Sequence, residues 1–162
     1  MSVTDVHKDP GTASMTITAG FDAPVERVWR LWADPRLLER WWGPPTWPAT
    51  FVDHDFSPGG HVSYYMTGPD GEKSAGWWTV QEVQPPHRLV FEDGFADDSG
   101  RPNTDLPTTR VTVTLEETVG GTVMTMHSVF PSAEDMEKLI AMGMEEGIVS
   151  AMSQMDAVLA EV

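Results

Sequence analysis

The chain has 162 residues, enough for one domain with a closed core, and its 40% hydrophobic and 22% charged residues are ordinary for a globular protein. Ten Lys plus Arg against 25 Asp plus Glu give a formal charge of −15, a field that repels phosphate backbones and anionic lipid surfaces, so neither nucleic acid nor membrane is an expected partner. The absence of cysteine excludes disulfides, thiolate catalysis and Cys-based zinc sites.

The N-terminal run SVTDVHKDPGTAS is polar, and residues 1–13 are expected to be a disordered segment ahead of a single domain over 14–162. It lacks the hydrophobic core of a signal peptide, and no apolar run approaches the roughly 18–20 residues of a membrane span, so a cytoplasmic location is expected. Met15 to Ala19 alternates and reads as an opening strand. Asp22 is placed to cap a helix in which Val25, Val28, Trp29 and Trp32 recur at the spacing of one buried face, with Glu26 and Arg30 on the wet face opposite. A second short helix opens at Asp34-Pro35, carries Leu37, Leu38, Trp41 and Trp42 on one side, and is stopped by Gly43, Pro44 and Pro45. Of the two adjacent indoles, at least one should face the interior, and the surface, where its N–H can stay wet, is open to the other.

Strands are predicted over Thr50–Asp55, Gly59–Thr67 and Lys73–Val83, the last two joined by a hairpin loop at Gly68–Gly71. On the second of these Val62, Tyr64 and Met66 share one face and His61, Ser63 and Tyr65 the other, and the apolar bias turns the first set inward. Trp77 and Trp78 point opposite ways; Val80 and Glu82 share Trp78's parity, which puts a carboxylate on the inner face unless a bulge intervenes. Beyond Pro85-Pro86 come strands at Arg88–Glu92, Thr109–Glu117 and, after Gly120-Gly121, Thr122–Phe130. The connection Gly94–Pro107 is long and rich in Gly, Pro and Asp, the composition of a disordered loop or of a flap.

Ser132 with Asp135 makes a capping-box-like start to a helix whose Met136, Ile140, Met144, Ile148, Met152, Met155 and Leu159 follow one face to the C-terminus. Such a helix would run about 40 Å. Methionine fits variable apolar shapes and would line an adaptable pocket, although a stripe at helical spacing also suits plain core. Gly143 and Gly147 each cost about 1 kcal/mol relative to alanine, so either the helix backbone packs closely on the sheet or the missing side chains leave room for a ligand. The order of elements describes an α+β fold, a curved antiparallel sheet of about seven strands wrapped around a long C-terminal helix, with two short helices after the first strand.

The segments FDAPVERVWRLWADPRLLERWWGP, DFSPGGHVSYYM, VQEVQPPHRLVF and MEEGIVSAMSQMDAVL carry a resemblance. The chain resembles the START-like helix-grip superfamily, also called SRPBCC, and within it the bacterial proteins grouped with the activator of heat-shock-protein-90 ATPase homologue. That resemblance implies a deep, mostly apolar cavity between the sheet and the terminal helix, used by different members to carry, sense or transform small hydrophobic molecules, with Trp41 and Trp42 near its entrance. Related chains often carry a tryptophan after the glycine equivalent to Gly147, and Ile148-Val149 here implies different room at that end.

Three functional readings follow. The first is a non-catalytic carrier or sensor whose cavity, lined by Trp41, Trp42, Tyr64, Met66, Trp78, Phe91, Met144 and Ile148, takes a small apolar or aromatic ligand. The second is a cyclase or aromatase type of enzyme with Glu82 or His127 as general base on a bound ligand. The third is a protein-partner role, chaperone-associated or as one half of a homodimer, hinted at by Trp47. No Gly-rich phosphate loop, Gly-x-Ser-x-Gly elbow or His-Glu-x-x-His is present, so no cofactor is expected and the reading leans away from catalysis. His54 lies between Asp53 and Asp55, but strand neighbours face opposite sides and cannot close around one ion, so no metal is expected.

Overall fold

A computed structural model describes residues 3–162. Among them eight strands form one curved antiparallel sheet: β1 Val3–Asp9, β2 Ser14–Phe21, β3 Ala49–His54, β4 His61–Thr67, β5 Lys73–Gln84, β6 Arg88–Phe95, β7 Thr109–Thr118 and β8 Gly121–Val129. Strands β3 to β8 run as a meander, β2 returns beside β8, and β1 lies outside β2 at the edge. On β7, Val111, Val113 and Leu115 are buried, and on β8 Met124 and Met126 are; these residues form the floor of the core. The period-2 pattern of the sequence therefore sets which face is covered.

Two short helices, α1 Val25–Ala33 and α2 Pro35–Leu38, join β2 to β3. Val25, Val28, Trp29 and Trp32 form the buried face of α1 as predicted. The helix begins two residues later than a cap at Asp22 implies: Pro24 holds the N-cap position and no side chain caps it, so Asp22 does not. Asp34 does cap α2, its Oδ1 accepting from the Arg36 N–H at 2.9 Å, and Pro35 supplies a preset φ at the first helical position.

Three expectations are corrected. The segment expected to be disordered contains β1, whose Val6, His7, Lys8 and Asp9 pair with Ile17, Thr16, Met15 and Ser14; residues 1 and 2 lie outside the described residues. Val3 and Val6 pack partly against the core, and Lys8 Nζ donates to Glu145 Oε1 at 2.7 Å, so this edge strand is held mainly by its ladder. The sheet accordingly has one strand more than the sequence pattern suggests. The single long terminal helix is three helices, α3 Ala133–Ala141, α4 Met144–Met152 and α5 Met155–Leu159. Ser132 Oγ caps α3 by accepting from the Asp135 N–H at 3.1 Å, as expected. The break between α3 and α4 falls at Gly143, whose φ of +92° is left-handed and readily available only to glycine. The apolar period continues across the break, which is why it reads as one helix in sequence.

Candidate functional site

The end of α2 and the turn after it bring Trp41 and Trp42 under the sheet, where they join a cluster of rings. Trp32 meets Trp41 edge to face with centroids 4.8 Å apart, Trp42 meets Trp78 at 4.9 Å, and Trp78 stacks on Phe91 at 4.0 Å. Such edge-to-face and stacked pairs are favourable beyond their burial. Trp41 is buried and its Nε1–H donates to the Leu31 carbonyl at 2.9 Å. Trp42 is buried as well, so both indoles face the interior and neither takes the wet surface position left open to the second; the Trp42 and Trp78 N–H groups are sealed from solvent without a hydrogen-bond partner.

Beside this cluster a cavity of about 340 Å³ opens between the sheet and the broken terminal helix, and its wall is predominantly apolar. Six of the eight predicted lining residues surround it: Trp41, Trp42, Tyr64, Met66, Met144 and Ile148. Trp78 and Phe91 do not; they are fully buried and form the wall behind Trp42. Gly143 and Gly147 border the cavity, and a Cβ built on either would meet nothing within 4 Å. Close backbone packing is therefore not the reason for either glycine: the left-handed φ accounts for Gly143, and Gly147 leaves open space beside the cavity. Gln154 Nε2, at the start of α5, donates to the Gly43 carbonyl at 2.7 Å and ties the α4–α5 junction to the turn after Trp41 and Trp42. A smaller chamber of about 60 Å³ adjoins, sharing Trp42, Asp93, Phe95, Met126, Leu139, Met144 and Ile148 with the larger one.

The polar end of the site was not read from the sequence. Asp93, on β6, pairs in register with Trp78 on β5 and lines both chambers. Tyr64 Oη donates to its Oδ1 at 3.1 Å. Burial pushes the Asp93 carboxyl up to about 7, against the Tyr64 hydroxyl, the Trp78 indole and the Gly94 N–H, all of which favour its charged form. Trp78 Nε1 is close enough to favour the carboxylate without completing a well-aligned hydrogen bond to it. Burial, and then the Asp93 charge, hold the Tyr64 phenol well above its ordinary range. The sequence did carry a signal for Asp93. It shares the parity of Phe91, but the predicted strand stopped at Glu92, one residue short.

Gly76 makes the Tyr64–Asp93 bond possible. It faces Tyr64 across β4 and β5, and a Cβ there would come within 2.4 Å of the phenol carbon and oxygen. Gly76→Ala should therefore push the ring off Asp93 and destabilise the protein by about 1–3 kcal/mol, the usual cost of overpacking, as read by urea denaturation. An unchanged midpoint would mean that the ring has room to move aside.

Both candidate bases lie elsewhere. The β5–β6 register shifts between Val80 and Glu82, and this bulge breaks the parity with Trp78. Glu82 instead makes an ion pair with Arg88, both side chains well exposed, and it does not line the cavity. His127 alternates with the buried Met126 and Ser128 and sits on the outer face, its Nδ1 hydrogen-bonded with Thr16 Oγ1 at 2.8 Å. No proton-transfer role on a cavity ligand follows for either. Trp47, the sequence's hint of a protein-contact surface, borders the cavity. Among the described residues no cluster of three or more His, Asp or Glu could hold a metal ion, and His54 is stacked on Phe56. No helix among the described residues is long and apolar enough to cross a membrane. The Gly94–Pro107 connection is folded on itself: Asp97 Oδ1 accepts from Ser99 N, Ser99 Oγ and Arg101 N at 2.9, 2.7 and 3.0 Å, and the Ser99 bond holds its carboxyl below the usual range. Beyond Phe95 none of its described residues lines the cavity.

A curved antiparallel sheet closed by C-terminal helices, with two short helices after the first of its core strands, is the helix-grip architecture of the SRPBCC type. Residues 22–160 match the family described as Activator of Hsp90 ATPase homolog 1-like protein, and the chain belongs to that family. It is similar to the crystal structure of protein Ms6760 from Mycobacterium smegmatis, with 53% identity over 97% of this chain and 96% of that one and a TM-score of 0.90. A solution structure of a protein from Arthrobacter aurescens has 53% identity over 99% of this chain and 94% of that one, with a TM-score of 0.95. The AHSA1 protein from Silicibacter pomeroyi shares the fold, with 23% identity over 91% of this chain and 98% of that one and a TM-score of 0.75. No curated protein matches the chain.

Proposed function

We propose that the protein binds a small, largely apolar or aromatic molecule in the cavity beneath α3 and α4, as a carrier or sensor that does not transform it. The observation that carries this reading is the apolar cavity of about 340 Å³ bordered by two side-chain-free positions, Gly143 and Gly147. Its size falls at the lower end of small-molecule sites, and each Å² of apolar ligand surface buried there contributes about 25 cal/mol. The outward placement of Glu82 and His127 supports binding over a cyclase or aromatase type of reaction built on those residues.

A thermal-shift panel of small aromatic and alicyclic compounds tests the proposal. Ligand at about 100 times its dissociation constant adds about 2.7 kcal/mol of stability, a shift of roughly 5–10 °C for a chain of this size. A panel that stabilises nothing would reject it.

A further inference from the structure

The polar lining of the site is made of oxygen and contains no basic side chain. Ser74 and Asp93 border the larger chamber, Asp93, Thr109 and Ser128 border the smaller, and no Lys, Arg or His lines either among the described residues. Asp93 retains part of its surface, whereas the Trp42 and Trp78 N–H groups are sealed off. A ligand therefore meets the carboxyl, and of the two indoles Trp78 is the one that favours its charged form. The elements packed against Asp93 bring Tyr64 from β4, Trp78 from β5 and Thr109 from β7; Tyr64 is the titratable one of these, and the helices across the cavity contribute Leu139, Met144 and Ile148. No cation among the described residues offsets the carboxylate, an arrangement that is costly unless a partner arrives.

Building on the cavity-binding reading above, we infer that the ligand is an apolar amine whose protonated nitrogen pairs with Asp93 at the inner end of the cavity while its hydrocarbon body lies against Trp41, Trp42 and Ile148. An ammonium group brings three N–H donors, and the Asp93 carboxylate with the Thr109 and Ser128 hydroxyls offers acceptors for them. Indole faces at the same site favour a cation over an anion. The formal charge of −15 draws cations toward the molecule and repels anions. Fatty and aromatic carboxylates, the other common amphiphiles of this size, are opposed by both the field and the unpaired carboxyl.

The test is calorimetric titration of the intact protein with phenylbutylamine, phenylbutanol and phenylbutyrate, which share a ring and chain and differ in the head group. At about pH 8 the amine should bind about tenfold or more tightly than the alcohol, since hydrogen bonds to charged groups are roughly twice as strong, and the acid should bind weakest. Amine affinity should fall by about tenfold per pH unit once the carboxyl is protonated. Asp93→Asn should remove both the preference and the pH dependence, with circular dichroism verifying the fold; the wild-type pH profile is a second readout that needs no variant. Equal affinity for amine and alcohol in the wild type, or an amine affinity untouched by Asp93→Asn, would overturn the assignment. If compounds of the thermal-shift panel bind while the amine does not, the amine assignment alone falls. If neither the panel nor this series binds, the cavity reading falls with it.

Discussion

Asp93→Asn should raise the stability of the unliganded protein, and the gain should grow with pH. The carboxyl has a native pKa of about 7 against an unfolded value of 3.8. Between those values the native state binds more protons than the unfolded chain, so this group's contribution is fully present below the unfolded pKa and is lost as pH rises through the native one. From about pH 5 to about pH 8 the wild type should lose on the order of 2–3 kcal/mol through Asp93, and asparagine, which does not titrate, should lose none of it. Asparagine keeps an oxygen to accept from Tyr64 Oη, so the native bond survives the change. Thermal midpoints of the two proteins, subtracted at each pH, cancel the titration of the other carboxylates; the difference should widen by roughly 4–12 °C across this range. A difference that stays flat would mean that water or a local shift solvates Asp93 and that its burial costs little. A group that lowers the stability of the empty protein is what a ligand-pairing carboxylate looks like before its partner arrives.

The burial that raises Asp93 also explains why it escaped the sequence. An acidic residue before a glycine, in Asp93-Gly94, has the composition of a turn, and the local rule ends the strand there. The ladder with β5 instead carries β6 on to Phe95, and tertiary pairing overrides the local signal. Val62, Tyr64 and Met66 were legible because a two-residue period assigns faces without knowledge of the partner strand. Glu82 was misplaced by the same rule, since one extra residue at the Val80–Glu82 bulge reverses parity and leaves no mark in composition. The strand β1 was missed because an edge strand needs little burial, and its polar side chains read as disorder. The cavity itself came only as an implication of the resemblance: periodicity places Met144 and Ile148 on one helix face but does not say whether that face meets side chains or space.

The two glycines of the terminal helices should respond in opposite directions, and together they test that space. Gly147 lies within α4 with nothing within 4 Å of a built Cβ and with no positive φ, so Gly147→Ala should stabilise the unliganded protein by up to about 1 kcal/mol through helix propensity. Gly143 has equal room, but its φ of +92° penalises any L side chain, so Gly143→Ala should cost about 1–2 kcal/mol or force α3 and α4 toward one straight helix. Gly147→Phe goes further, because Gly147 borders the cavity lined by Trp41, Trp42 and Tyr64 and a ring placed there would occupy part of it. The expected result is a folded protein of equal or higher thermal midpoint whose ligand-induced shift is reduced, because the ring takes part of the volume and of the apolar contacts the ligand would use. Loss of stability in Gly147→Ala would mean that the space is filled by packing, and both binding proposals would lose their foundation. Retention of the full ligand shift in Gly147→Phe would instead place the ligand away from the α4 side of this cavity.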